Sequence, residues 1–374
     1  MTSYLYARIK EDIRKRIQEG EWSDEVRLPS SRDFAQAYRS SVNTVEKAVK
    51  ELCVEGCLRR DNRRGTFISS NVVSSRSDRR NGLVAASVFG TENPLWATAL
   101  RGIEDMLRHR GYHLMSFSDD RSLAKLESFV TSTDTMRMDG IILSPIFDRQ
   151  RDGRSRRLYD SLAASGIKIV FLDRHEYDSD IPFVTSDNIA GAYKLARLLL
   201  DQGHRRILFL RNGDMSTFHE RLLGVKQAYL DAGIGFEPDL DALVPTEFEN
   251  FEEELDAYAD RIGAVIDAAR CTAVFAANDQ IAEAVIAAFA RRGIRVPDDI
   301  SLVTYDALNL NRRLQLDVTG ANQPFYEMGK TAASLLMNLL HGKEHLSAPS
   351  HICKAEIHYG NSVGPRNEAD IGWD

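Results

Sequence analysis

The chain begins with apolar residues at every fourth position, Leu5, Ile9, Ile13 and Ile17. That period marks one face of an amphipathic helix, which ends near Gly20. Pro29 and Ser30 then start a short helix over residues 31–37. After a polar break, Ser41 caps a third helix with an apolar stripe of Val42, Val45, Val49 and Leu52, closed by Gly56. Two short strand-like stretches, "CLRRDN" and "GTFISS", meet at a tight turn through Asn62, Arg63 and Arg64. Helix, turn, helix and hairpin predict a winged helix-turn-helix over residues 1–70. Residues 71–81 are polar without an apolar period and read as a linker.

From residue 82 the rhythm changes. The apolar runs "LVAASVFG", "YHLMSFS", "DGIILSP", "IKIVFLD", "RILFL", "TAVFAAN" and "ISLVTYD" alternate with helical segments at 97–110, 122–136, 155–165, 188–202, 217–232, 251–269 and 279–292. This is the βαβ cadence of parallel sheets buried on both faces. Residues 82–374 fit two doubly wound lobes better than one sheet, and ligands of such folds bind outside the carboxyl ends of the strands. The expected fold class is therefore α/β, a winged helix-turn-helix followed by two parallel-sheet lobes with a ligand cleft between them. Polar residues stand at the strand ends: Asp119, Asp120, Ser144, Asp173, Arg174, Asn278, Asp279 and Asp306. Each alone is as well explained as a helix cap. Together they suit a polyhydroxylated ligand.

Charge separates the two parts. The 374 residues carry a net charge of −7, yet residues 1–70 hold 14 Lys and Arg against 11 Asp and Glu, and the remainder 34 against 44. Only the front suits a polyanion, since an acidic remainder repels one. In a winged helix the third helix enters the major groove. Ser41, Asn43, Thr44 and Lys47 are the candidates at its start and on its polar face. Arg63 and Arg64, with Arg59 and Arg60, give the wing long cations for phosphates or a narrow minor groove. A solvated basic surface is the plain alternative for any one of them.

Other chemistries find no footing. No apolar run reaches a membrane span and no apolar signal core opens the chain, so a soluble, cytoplasmic protein is expected. Cys53, Cys57, Cys271 and Cys353 are too few for a disulfide framework. Cys53 and Cys57 lie four apart on one helix face without a His or further Cys nearby, which favours packing over a metal site. "DQGHRRI" places His204 after a helix-ending Gly203, a structural position. There is no phosphate-binding Gly-rich loop, metal cluster or nucleophile elbow, so neither an enzyme nor a cofactor is expected.

Residues 4–69 resemble the GntR-type winged helix domain through "LPSSRDFA", "NTVEKAVKELCVEGCL" and "RGTFI". The resemblance implies that Arg32 contacts the DNA backbone and that Thr44 is a recognition-helix contact. Val42 stands where that family commonly has an arginine, and Glu46 where it often has a basic residue. Residues 82–360 resemble the LacI/GalR sensor family through "RGIEDMLRHRGY", "MDGIILSP", "VTSDNIAGAYKLARLLLDQGHRRI", "RLLGVKQAYLDAG", "AVFAANDQIA", "VPDDISLVTYD" and "NQPFYEMG". By that resemblance Arg221 holds a ligand hydroxyl or carboxylate, Asn278 and Asp306 hydrogen-bond the ligand, and Asp173 lies at the strand end facing it. Trp96, after Asn93 and Pro94, would lie under a sugar ring. Read as residues alone, the plain alternatives are a surface pair of Arg221 with Glu220 or a helix carboxylate, Asn278 as a helix cap and Trp96 as core. "TYDA" replaces the family's Gly-Phe-Asp-Asp, leaving Ala307 where a second carboxylate often sits. The combination of head and sensor resembles arabinose repressors of Gram-positive bacteria. It implies a repressor acting as a homodimer on a palindromic double-stranded DNA operator under a sugar effector, with a purine, nucleoside or protein corepressor as the alternative.

Overall fold

The structure is a computed structural model that describes residues 2–18, 28–55, 57–61, 65–68, 82–91, 93–132, 138–146, 153–245, 251–314, 316–342 and 350–366. It divides into two compact units, Met1–Asn81 and Gly82–Asp374. Gly20, Gly56, Asn62, Arg63, Arg64 and the linker at 71–81 lie outside the described residues, as do the side chains of Leu5 and Ile17.

The first unit packs helices α1 (Thr2–Gln18), α2 (Ser31–Ala37) and α3 (Val42–Val54) beside an antiparallel hairpin of β1 (Leu58–Asp61) and β2 (Gly65–Ile68). Ser30 opens α2 with a reciprocal cap: its hydroxyl accepts from the Asp33 N–H while the Asp33 carboxylate accepts from the Ser30 N–H. Ser41 caps α3 by accepting from the Thr44 N–H at 3.2 Å. The i, i+4 periodicity delivers Ile9, Ile13, Val45, Val49 and Leu52 to one core with Phe34 and Leu58. Val42, expected in that stripe, is instead 41% exposed at the first position of α3, and burial begins two residues on at Thr44 and Val45. Cys57 likewise lies past the end of α3 rather than on its face, and both it and Cys53 are half-buried against the core.

The second unit carries two six-stranded sheets, in strand order β13-β7-β6-β5-β3-β4 and β14-β12-β11-β10-β8-β9. The N-terminal lobe runs β3 (Leu83–Val88), α4 (Pro94–Arg108), β4 (His113–Ser118), α5 (Leu123–Thr131), β5 (Gly140–Leu143), α6 (Arg154–Ala164), β6 (Lys168–Leu172) and β7 (Phe183–Ser186). The chain then crosses into α7 (Asn188–Asp201), β8 (Ile207–Arg211), α8 (Ser216–Asp231), β9 (Asp241–Leu243), α9 (Phe251–Ala269), β10 (Ala273–Ala276), α10 (Asp279–Arg292), β11 (Ser301–Tyr305), α11 (Ala307–Leu314) and β12 (Thr319–Asn322). It crosses back through α12 (Phe325–Leu340) to β13 (Ser350–Cys353), and again to β14 (Glu356–His358). Among the described residues of this unit, only β14 runs antiparallel to its neighbour. Alternation along the strands sends Ala86, Ile142 and Val170 to one face and Ala85, Ile141 and Ile169 to the other, each beneath helices.

The three crossings lie side by side. The Asp187 N–H donates to the Cys353 carbonyl at 2.7 Å, and the Ser186 hydroxyl donates to Gln323 Oε1 at 2.7 Å. The expected helix over 122–136 stops at Thr131, and the short strands β7, β9 and β12–β14 were not marked by an apolar run. No helix among the described residues is long and apolar enough to cross a membrane.

Helix α12 returns from the second lobe to the first by a reciprocal glycine contact. A Cβ on Gly102 of α4 would stand 2.1 Å from the Tyr326 carbonyl, and one on Gly329 of α12 would stand 2.1 Å from the Ala99 carbonyl. Backbone against backbone leaves no side chain to give way. Gly102→Ala therefore costs about 1–3 kcal/mol of stability by overpacking. Thermal unfolding of the full chain checks this: the sensor midpoint falls, whereas an unchanged midpoint contradicts the contact.

Candidate functional site

The carboxyl ends of both sheets face one another, and the residues there converge. Trp96, Asp173, Arg221, Asn278 and Asp306 all line a single cleft, together with Arg121, Gln280 and Gln323. The cleft encloses about 50 Å³, well below the roughly 300–1,000 Å³ of ordinary ligand pockets, so the lobes meet closely across it.

Each lobe contributes an aspartate by the same device. Asp173 follows β6 and Asp306 follows β11; both have left-handed backbones, with φ 71° and 62°. In each the N–H reaches across to the next strand, from Asp173 to the Val184 carbonyl at 2.8 Å and from Asp306 to the Ala321 carbonyl at 2.6 Å. A left-handed non-glycine residue costs on the order of 1–3 kcal/mol and persists where the surroundings over-determine it. Here the effect is to turn a carboxylate off the strand end into the cleft.

Arg221, from the second turn of α8, is only 2% exposed. Its Nε donates to Asn188 Oδ1 at 2.9 Å and its Nη1 to the Ala277 carbonyl at 2.6 Å, and the guanidinium lies 3.7 Å from the centre of the Tyr305 ring. It is thus no surface partner of Glu220, whose carboxylate instead accepts from Asn188 Nδ2 at 2.8 Å. Asn278 caps α10 by accepting from the Ile281 N–H at 2.9 Å, and also lines the cleft. Trp96 is buried in the core of the first lobe, edge-on to Phe325, and borders the cleft at the same time.

The electrostatics are set by burial. Desolvation pushes the Asp306 carboxyl up to about 7, with Arg221 pulling it down and Asp279 adding to the rise. Burial also raises Asp173, against the pull of Arg174 and Arg221, and raises Asp279. Carboxyls poised in this way accept from a hydroxyl when ionised and donate when protonated. Arg121 reaches over the cleft from the first lobe to the second, donating from Nη2 to Gln280 Oε1 at 3.3 Å, and its guanidinium lies 3.8 Å from the Phe89 ring. Gln323 donates from Nε2 to Asp306 at 3.0 Å. Arg121 and Gln323 escaped the sequence reading because they sit in loops without period, and Gln280 because it lies on the first turn of α10 beside the strand-end residues Asn278 and Asp279 that drew notice. Among the described residues no group of three or more His, Cys, Asp or Glu is placed to hold a metal.

In the first unit, Arg32 and Asn43 are exposed on the opening turns of α2 and α3. Lys47 is exposed, with its Nζ 4.4 Å from the centre of the Tyr6 ring. Thr44 is different: it is 8% exposed and its hydroxyl lies 2.7 Å from that of Ser41, because the third residue of the helix turns back onto its cap. Glu46 is paired with Arg60 of β1 at 2.7 and 3.0 Å and also accepts from the Ser31 hydroxyl. The acidic residue on α3 therefore fastens the wing to the helix and uses up one of the wing's arginines. Arg63 and Arg64 lie outside the described residues.

Comparison with known proteins follows the division into two units. The bacterial regulatory proteins of the gntR family match residues 5–68, and the periplasmic binding protein-like domain matches residues 196–363. The arabinose metabolism transcriptional repressor of Halalkalibacterium halodurans is 26% identical over 345 residues, 90% of this chain and 89% of that protein. The HTH-type transcriptional repressor PurR of Photobacterium profundum is 30% identical over 282 residues, 75% of this chain and 80% of that protein. Transcription regulator CcpA of Lactococcus lactis superposes with a TM-score of 0.65 at 22% identity, over 75% of this chain and 98% of that one. The transcriptional regulator CelR in its cellobiose complex superposes with a TM-score of 0.63 at 24% identity, over 93% and 94%. The last two speak for the fold.

Asp306 has a consequence for stability. Its carboxyl titrates higher in the folded chain, at about 7, than the roughly 3.9 of an unfolded aspartate, so between those values the folded state binds the extra proton. Its contribution is present at pH below about 4 and is lost as pH rises through about 7. The unfolding midpoint of the full chain should fall between pH 5 and pH 8, and Asp306→Asn should make that fall shallower. An identical pH profile in the variant would contradict the burial of the Asp306 carboxyl.

Proposed function

We propose, from the premise that the chain belongs to the transcriptional repressors that join a GntR-type winged helix to a LacI-type, periplasmic-binding-protein-like sensor, that a sugar bound between the sensor lobes sets its affinity for a palindromic operator. The chain acts on DNA as a homodimer, with one winged helix on each half-site. The observation that carries the effector reading is the cleft itself. Its polar groups come from both lobes, alternate carboxylate with guanidinium and amide, and are bordered by Trp96 and Phe325. Such a set forms the paired donor and acceptor bonds that vicinal hydroxyls require. Relatives named for arabinose metabolism support the same class of effector.

The mechanism follows from the geometry. A ligand that bonds Asp173 and Arg174 on one side and Arg221, Asn278 and Asp306 on the other favours one separation of the lobes over another. It shifts the equilibrium only by its differential affinity for the two arrangements. A coupling of roughly 1–3 kcal/mol changes operator affinity about 5–150-fold. On DNA, Arg32 supplies a phosphate contact, and Asn43, at the exposed start of α3, reads a base edge.

Gel-shift titration of the full chain on a selected operator, with a panel of sugars and nucleosides, tests the reading. A sugar should change operator affinity of the wild type. Arg221→Gln, which retains a buried donor, should bind operator as the wild type does yet lose the response to that sugar. Asn43→Ala should alter operator preference while keeping the response. Response to a nucleoside alone overturns the sugar assignment, and an Arg221→Gln protein that still responds at the original concentration overturns the cleft.

A further inference from the structure

Beside the narrow cleft, and continuous with it at Arg174, lies a much larger groove. Arg174 lines both spaces. The groove holds about 660 Å³ and is walled by His175 and Tyr177 from the first lobe and by Ser216 and His219 from the second. It is within the size range of a ligand pocket, whereas the cleft around Arg221 is not.

Its wall carries unspent polar capacity. The His175 side chain is 9% exposed, and its Nδ1 has no hydrogen-bond partner among the described residues. Its ring is held in place by stacking on Phe183 at 4.1 Å, and its Nε2 lies 3.5 Å from Glu220. Arg174 Nε, 3.4 Å from Asp173 Oδ2, likewise makes no hydrogen bond among the described residues. Above them Tyr177 is 62% exposed, edge-on to His175 at 4.9 Å, an aromatic surface at the rim.

The charge of the wall narrows the ligand. Arg156 and Arg174 face Glu176, Asp178 and Asp214. Asp214 is already paired with Arg211 and His219, so neither sign of charge dominates the wall, and it offers a mixture of donors and acceptors suited to neutral hydroxyls. A polar, mixed wall with one exposed aromatic fits a pyranose or furanose ring, which has hydroxyls at its edge and C–H groups on its face.

We infer that the effector is a disaccharide or glycoside, one unit held at Arg221 once the lobes part to widen the 50 Å³ cleft and the second in the groove, where Tyr177 underlies the ring and His175 and Arg174 take its hydroxyls. The inference rests on the reading of the cleft as a sugar site and adds the length of the ligand and the residues that sense it.

Isothermal titration of the full chain with maltose, cellobiose, xylobiose and arabinobiose, and with glucose, xylose, arabinose and glucose 6-phosphate, provides the test. One disaccharide should bind about tenfold or more tightly than its own monosaccharide. Tyr177→Ala, an exposed position that leaves the fold intact, should remove most of that advantage while leaving the monosaccharide's affinity unchanged. A monosaccharide that binds as tightly as every disaccharide, a Tyr177→Ala protein that weakens both alike, or glucose 6-phosphate as the tightest ligand overturns the inference but leaves the cleft as a sugar site. Absence of binding by every sugar overturns both.

Discussion

A full positive charge in the protein interior is the constraint around which the sensor is arranged. Burying a guanidinium is costly unless its donors are paired. Arg221 is paired with the start of α7 through Asn188 and with the end of β10 through Ala277, and it lies on Tyr305 of β11. Tyr305 in turn donates to the Asn188 carbonyl at 2.9 Å. One side chain thus joins three elements of the second lobe to the point where the chain first crosses between lobes. The other crossings are tied to the same place through Ser186, Gln323 and Asp187. A ligand that competes for the donors of Arg221, as proposed, would act on the crossings directly.

The first unit solves a different electrostatic problem. A helix meant for a polyanion carries Glu46, and the structure answers it with Arg60 and Ser31. The pair removes one acid and one base from the surface offered to DNA and fixes the wing against α3. What remains exposed is the start of that helix, where Asn43, the residue proposed to read a base edge, stands beside an apolar Val42.

Much of this was legible in the residues. The run of apolar segments and helices gave the two doubly wound lobes, and α2, α9 and α10 span the residues expected, with Ser30 and Asn278 as caps and Gly293 closing α10. Asp173, Asn278 and Asp306 stood out because they follow buried strands and Arg221 through the family resemblance, and the structure gathers all four into one cleft. Three kinds of feature were not legible. The edge strands, such as Glu356–His358, are too short and too polar to show a period. Thr44 looked exposed by its place on α3, but the cap at Ser41 draws its hydroxyl inward. The bridge from Arg121 to Gln280 spans a sequence separation of 159 residues, which local patterning cannot see.

Hydrogen exchange on the full chain, with and without a saturating sugar, tests the central claim that one ligand is held by both lobes at Arg221. Protection should rise together at residues 119–122 and 173–177 of the first lobe, at 216–221 and 277–280 of the second, and at the crossings near 186–188 and 323–324. Protection confined to one lobe, or absent from the crossings, would contradict it.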